Sequence, residues 1–184
     1  ENFKQIHDML GGKVKLFISG AASLDPAIEE RYRLLGINIV QGYGLTETSP
    51  VVAIGTNKEH KIGSIGKTVP SVKAKLVDIN KEGVGELVVK GPSIALGYYN
   101  NEKATKESFK GDWFYTGDLA KIDKEGYIFI CGRKKSVIVL KNGKNIFPEE
   151  MENLVNKIEG VTESFIFGKQ QSDDKNDIKI NVKV

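Results

Sequence analysis

The sequence predicts an α/β plus β-barrel protein: the end of a parallel α/β subdomain (residues 1–58), a small antiparallel β-barrel-like subdomain (59–132), then a hinge and a partial α+β domain (133–184). Three observations predict it. Residues 13–40 read strand, helix, strand, and a crossover of that kind makes its strands parallel. From about Lys61 to Gly132 the pattern turns to period two with frequent glycine, the mark of antiparallel hairpins. The cationic run Gly132-Arg133-Lys134-Lys135-Ser136 then separates this body from a fresh start, and such a junction is a candidate hinge.

Lys13-Val14-Lys15-Leu16-Phe17-Ile18 reads as a strand that becomes buried as it proceeds, followed by the small-residue loop Ser19-Gly20-Ala21-Ala22. Asp25 can cap the next helix, Pro26 suits its first position, and Ile28, Tyr32 and Leu35 offer an apolar face before Gly36 stops it. Ile37-Asn38-Ile39-Val40 is a second strand leading into the loop Gln41–Thr48. Ligands of open parallel sheets bind beyond the carboxyl ends of the strands, where both loops begin. Val72–Leu76, Gly85–Lys90 and Tyr127–Cys131 are strands of the second region, with a short helix over Asn101–Phe109. Ile79-Asn80-Lys81-Glu82-Gly83 and Ile122-Asp123-Lys124-Glu125-Gly126 nearly repeat, each a hairpin loop with glycine where a left-handed residue is needed. After the junction, Val137–Leu140 is strand-like and the chain reverses at Asn142-Gly143. A helix begins at Pro148, with Glu149, Glu150 and Glu152 near its positive end and Met151, Leu154, Val155 and Ile158 as its buried face. Ile178–Val184 alternates like a half-buried strand and stops inside the pattern, so the chain is expected to be part of a longer polypeptide.

A content of 40% hydrophobic and 28% charged residues is that of an ordinary globular protein. No apolar run approaches the roughly 20 residues of a membrane helix. A single cysteine, Cys131, admits no internal disulfide and suits a reducing, cytoplasmic setting. The balance of 27 Lys+Arg against 24 Asp+Glu, net +3, is too slight to argue for a nucleic-acid partner. His7 and His60 share no metal-ligand spacing with each other or with Cys131 and are expected at the surface; Trp113 is expected in the core.

Gly42-Tyr43-Gly44 lacks the third glycine of a dinucleotide fingerprint, and a flexible turn explains it equally well. Its company sharpens the reading. A ring between two glycines offers a face to a flat ligand, and Thr46 and Glu47 follow with a hydroxyl and a carboxylate for phosphate and metal. In Trp113-Phe114-Tyr115-Thr116-Gly117-Asp118-Leu119, Asp118 reads either as a turn former or as an acceptor for two ribose hydroxyls. Arg133 can add a fork of donors to ribose or phosphate.

Four motifs in order, Gly20-Ala21-Ala22, Tyr43-Gly44-Leu45-Thr46-Glu47-Thr48, Tyr115-Thr116-Gly117-Asp118-Leu119 and Gly132-Arg133-Lys134-Lys135, resemble the adenylate-forming superfamily of acyl-CoA synthetases, luciferases and peptide-synthetase adenylation domains. The framing text, Gly91-Pro92, Gly97-Tyr98-Tyr99-Asn100 and Asn142-Gly143-Lys144-Asn145-Ile146 through Pro148-Glu149-Glu150, looks most like the long-chain fatty acyl-CoA synthetases. The resemblance implies a carboxylic acid–CoA ligase. A carboxylate attacks the α-phosphate of ATP to give an acyl-adenylate and pyrophosphate, and the thiol of coenzyme A then displaces AMP. It implies that Tyr43 stacks on adenine with the backbone of Gly20, Ala21 and Ala22 opposite, and that Gly42 and Gly44 border the acyl pocket. It implies further that Thr46 contacts the α-phosphate, Glu47 holds Mg²⁺, Asp118 and Arg133 bind the ribose, and Lys135 is the hinge about which a C-terminal lid domain turns between the two steps. Fatty acid, ATP and coenzyme A are then the small-molecule partners, with no nucleic acid and with peripheral membrane contact of the parent left open.

The family's glycine-rich phosphate loop and its C-terminal catalytic lysine are expected outside residues 1–184, so the chain alone is expected to be inactive. Between Arg133 and Gly143 the spacing is one residue longer than in luciferase-like members, and Lys141 and Lys144 receive no role. Two other readings stand beside this one. The first is an adenylation enzyme for an aryl or amino acid. The second is a non-enzymatic anion-binding module built on Arg133, Lys134, Lys135, Lys141 and Lys144, which requires steep salt dependence.

Overall fold

The computed structural model describes residues 3–171 and 177–184; Glu1 and Asn2 of the first predicted region and residues 172–176 of the last lie outside the described residues. Contacts gather the chain into two compact units, Glu1–Thr116 with Ala120–Ile130, and Gly117–Leu119 with Cys131–Val184.

The first unit begins with a short helix α1 (Lys4–Met9) that the sequence reading did not foresee, then β1 (Phe17–Ser19), α2 (Pro26–Leu34) and β2 (Ile39–Gly44). The two strands are parallel, as the crossover requires, with Phe17 opposite Ile39 and Ser19 opposite Gln41. β1 is shorter than expected because Lys13–Leu16 find no strand partner in that register. Asp25 caps α2 by accepting from the Ala27 N–H at 2.9 Å, with Pro26 inside the cap and Gly36 at φ +74° past its end. The buried residue of α2 is Glu29, whereas Ile28 and Tyr32 remain exposed.

β2 runs through Gln41–Gly44, a stretch expected to be loop. It pairs antiparallel with β3 (Val51–Ile54), Tyr43 opposite Ala53, and β4 (Lys67–Thr68) completes a four-stranded mixed sheet. Glycine at 44 serves close approach rather than a turn, since a Cβ there would overlap the Pro50 carbonyl.

A second, curled antiparallel sheet follows in the order β5 (Lys73–Val77), β6 (Gly85–Lys90), β8 (Trp113–Ile122), β7 (Phe109–Lys110), with β9 (Ile128–Arg133) paired to β8. The fold class is therefore the expected one. The near-repeated loops are the same turn built twice. The Asn80 side-chain oxygen accepts from the N–H groups of Glu82 and Val84 at 2.9 and 3.0 Å, and Asp123 accepts from those of Glu125 and Tyr127 at 2.9 Å each. Gly83 and Gly126 take the left-handed position at φ +77° and +87°. Val52, Ala53, Ile65, Val72, Leu87, Val89, Phe114, Ala120 and Ile128 form one core under both sheets. Each large aliphatic side chain so buried contributes about 1.5–3 kcal/mol. α3 (Glu102–Ser108) matches the expected short helix, capped by Asn101, whose side chain accepts from the Ala104 N–H at 3.0 Å.

The second unit pairs β10 (Ile138–Val139) with β11 (Asn145–Ile146) around the predicted Asn142-Gly143 reversal, Gly143 taking φ +78°. α4 (Pro148–Val155) starts at proline as expected. β12 (Phe165–Gln170) and β13 (Ile178–Lys183) form an antiparallel pair that includes the terminal alternating stretch. The predicted apolar face of α4 is only partly used. Leu154 is 66% exposed, and Ile158, beyond the helix end, is 59% exposed. The helix is held instead through Phe147 and Pro148 at its start and through Glu152, whose carboxylate accepts from the Ile166 N–H at 2.7 Å. The histidines also depart from expectation. His7 bonds the Leu35 carbonyl at 2.8 Å, and His60 is half-buried between Arg33 and Glu29, so neither is a plain surface residue. Trp113 is half-buried with Lys75 and Lys90 over its ring rather than deep in the core.

Candidate nucleotide site

The parallel register that levels Ser19 with Gln41 sets the two strand ends side by side. In consequence the Gly20 loop lies against β2: a Cβ built on Gly20 would sit 3.6 Å from the Gly42 carbonyl, and one on Gly42 would touch Ile18 at 3.4 Å. The Gln41 side chain ties the loop down by accepting from the Leu24 N–H at 2.9 Å. Ala21 adopts φ +71°, a conformation costly to a residue with a Cβ, within the loop expected to face a ligand. Gly20, Ala21, Ala22 and Gly42 are thus brought together.

Tyr43 is half-buried and packs against the core cluster. After it the chain makes a 3₁₀ turn, Thr46–Thr48, locked by the buried Thr48 hydroxyl, which accepts from the Leu45 N–H at 2.9 Å and donates to the Pro50 carbonyl. Thr46 is exposed at the start of this turn and Glu47 is half-buried. The Glu47 carboxylate accepts from the Tyr98 hydroxyl at 2.7 Å, and its main-chain carbonyl accepts from the Ala95 N–H at 2.8 Å. Tyr98 lies in the Gly97–Asn100 stretch, and nothing in the sequence reveals its partner 51 residues away.

Within the second unit Asp118 is no turn former. It lies in the middle of β8, one residue past Gly117 at φ +73°, and is 3% exposed. Arg133 Nε donates to Asp118 Oδ1 at 2.9 Å, so two residues expected to act on one ligand are joined to each other. Glu149 stands beside them. Partial burial, then the neighbouring Glu152 and Asp118 carboxylates, push its pKa up against the pull of Arg133. The Lys134 N–H donates to the Gly117 carbonyl at 2.8 Å, and Lys134 and Lys135 are exposed on the turn between β9 and β10. Gly132 is hemmed in by Glu149 and Phe147, which a Cβ would approach to 2.9 and 3.2 Å.

The residues fit the groups that the motifs imply. No set of three or more His, Cys, Asp or Glu side chains gathers as a metal cage among the described residues. A lone carboxylate is what Mg²⁺ uses when substrate phosphates supply most of its ligands. Small residues at 20–22 and 42 leave the backbone open to close approach by a flat ring.

A profile of AMP-binding enzymes matches residues 1–99, more than half of the chain. The chain belongs to the AMP-binding enzyme family. Similar to it is a long-chain-fatty-acid–CoA ligase of Mycobacterium bovis, 38% identical over 166 residues that cover 90% of this chain and 27% of that protein. Another is the long-chain-fatty-acid–CoA ligase of Escherichia coli, 37% identical over 188 residues, with coverage of 98% and 33%. The chain therefore spans about a quarter to a third of the length of these relatives. Among solved structures, the O-succinylbenzoate coenzyme A synthetase of Bacillus subtilis in complex with ATP and magnesium ion superposes with a TM-score of 0.82 at 26% identity, covering 97% of this chain and 39% of that one. No helix among the described residues is long and apolar enough to cross a membrane.

Proposed function

We propose that the chain is the part of a long-chain fatty acid–CoA ligase that carries its adenine, phosphate and ribose contacts and its hinge. The observation that supports this most directly is the level pairing of β1 and β2, which sets the Gly20–Ala22 backbone beside Gly42 in a family that binds AMP. Fatty acid is favoured over an aryl acid because identity to the fatty-acid ligases is 37–38%, against 26% to the O-succinylbenzoate enzyme.

In this reading Tyr43 stacks on the adenine that the Gly20–Ala22 backbone flanks, Gly44 and Gly42 border the acyl chain, and Thr46 donates to the α-phosphate. Glu47 holds Mg²⁺, which neutralises phosphate charge when bound. Asp118 accepts from the ribose hydroxyls, and Arg133 holds the Asp118 carboxylate in place besides contacting the sugar. Bound in this way, the substrate carboxylate meets the α-phosphorus with pyrophosphate as leaving group. The coenzyme A thiol then attacks the acyl carbonyl of the adenylate and releases AMP. Residues 133–184 act as hinge and lid domain, and Lys135 sits on the turn where the rotation between the two steps takes place.

A full-length ligase carrying this sequence tests the reading by titration with a non-hydrolysable acyl-adenylate analogue. Asp118→Asn removes one charged acceptor at constant volume and is expected to weaken binding about ten- to hundredfold. Tyr43→Ala is expected to weaken it about tenfold by loss of stacking. Wild-type affinity in both variants, or binding that collapses with salt as for a polyanion, refutes the assignment.

A further inference from the structure

Glu47 is gripped from two directions by one short strap. Its main-chain carbonyl accepts from the Ala95 N–H at 2.8 Å, and its side-chain Oε1 accepts from the Tyr98 hydroxyl at 2.7 Å. The strap is itself nailed down. The Tyr98 N–H donates to Thr105 Oγ1 at 2.9 Å, and Ser108 contributes a side-chain hydrogen bond to the Tyr98 phenol from the other end of α3. The Tyr98 ring stands edge-on to Phe109, centroids 5.6 Å apart at 73°, and Phe109 packs on the core residue Phe114 at 4.8 Å. At Gly97 a Cβ would come within 2.6 Å of the Thr105 side chain, so only glycine lets the strap lie this close to the helix.

A glutamate has three side-chain torsions to fix, and Mg²⁺ demands near-ideal octahedral geometry at about 2.0–2.1 Å. A single carboxylate that serves such an ion gains from being oriented beforehand. The phenol bond does this on Oε1 and directs Oε2 by default. We propose that Tyr98 is a positioning residue that holds the Glu47 carboxylate for the divalent cation travelling with the nucleotide. The proposal rests on the assignment of Glu47 to that cation.

The test uses the full-length ligase, with Mn²⁺ as probe, titrated by paramagnetic resonance in the presence of a non-hydrolysable ATP analogue. Tyr98→Phe keeps the ring on Phe109 and removes only the hydroxyl. It is expected to raise the Mn²⁺ dissociation constant about tenfold, or about 1.4 kcal/mol, while kcat at saturating Mg²⁺ stays within about twofold and AMP affinity without metal is unchanged. A packing role would move the melting temperature and AMP affinity instead. Wild-type Mn²⁺ affinity in Y98F overturns the proposal. Glu47→Gln separates the two levels: if it abolishes Mn²⁺ binding while Y98F does not weaken it, only the role of Tyr98 falls. If Glu47→Gln leaves Mn²⁺ binding intact, the metal assignment falls and the proposal with it. Should Y98F melt more than about 5 °C early, Ser108→Ala carries the same measurement, with about threefold weakening expected and unchanged affinity overturning the idea.

Discussion

At Glu149 two opposing influences meet on one carboxylate. The start of α4 favours a negative charge there by about 0.3–1 kcal/mol, and Arg133 adds to that attraction. Partial burial and the Glu152 and Asp118 carboxylates outweigh both, since the pKa is raised rather than lowered. An acid whose pKa rises on folding favours the folded state when protonated and costs stability once pH climbs past its folded value. Glu149→Gln is therefore expected to raise the melting temperature at pH 7 by about 1 °C, an increment kept small by solvent screening. The gain should vanish near pH 3, more than a unit below the ordinary glutamate value of about 4.3, where the carboxyl is almost wholly neutral in both states. Scanning calorimetry at the two pH values checks it; a larger gain near pH 3 than at pH 7 reverses the sign and refutes the account. Residue identity alone made the cap Asp25, the left-handed glycines and Asp118 stand out. It did not reveal that Asp118 and Arg133 pair or that Glu149 joins them, because the three are 15 and 16 residues apart along the chain and meet only by folding.

Elements were legible where a local rule decides them. Asp25-Pro26, Asn101 and Pro148 each started the helix that the sequence led one to expect, and the two Asx turns closed their hairpins as read. Gln41–Gly44 was misread because glycine beside an aromatic looks like a loop, whereas here glycine admits a neighbouring backbone. The apolar stripes of α2 and α4 misled for a related reason, as each of these short helices is fastened by a carboxylate. Glu29 Oε2 accepts from the Gly63 N–H at 3.0 Å and Glu29 Oε1 lies 3.7 Å from His60. Glu29→Ala strands that amide, and its expected cost is about 1–3 kcal/mol in urea unfolding. Exposed Glu30→Ala is expected to change stability by under about 0.5 kcal/mol. Equal effects at the two positions would show that α2 docks without Glu29.

For the whole molecule, the coverage of its relatives sets the expectation. A chain spanning 27–33% of the fatty-acid ligases leaves two thirds or more of their length unmatched. The isolated 184-residue chain is expected to release no pyrophosphate from ATP with any fatty acid; steady release above the protein-free rate refutes this. The global plan of parallel pair, antiparallel sheet and following α+β unit was readable because each part imposes its own periodicity on the sequence.

Gly117–Leu119 cluster with Cys131–Val184, although they belong to a strand whose flanking residues cluster with the rest. Cutting the gene after Gly132 would thus leave five residues of the later body, Gly117–Leu119 with Cys131 and Gly132, attached to the earlier one, including the acid that engages Arg133. The later body is not an excisable cassette, and a graft meant to transplant it would have to carry the β8–β9 hairpin along.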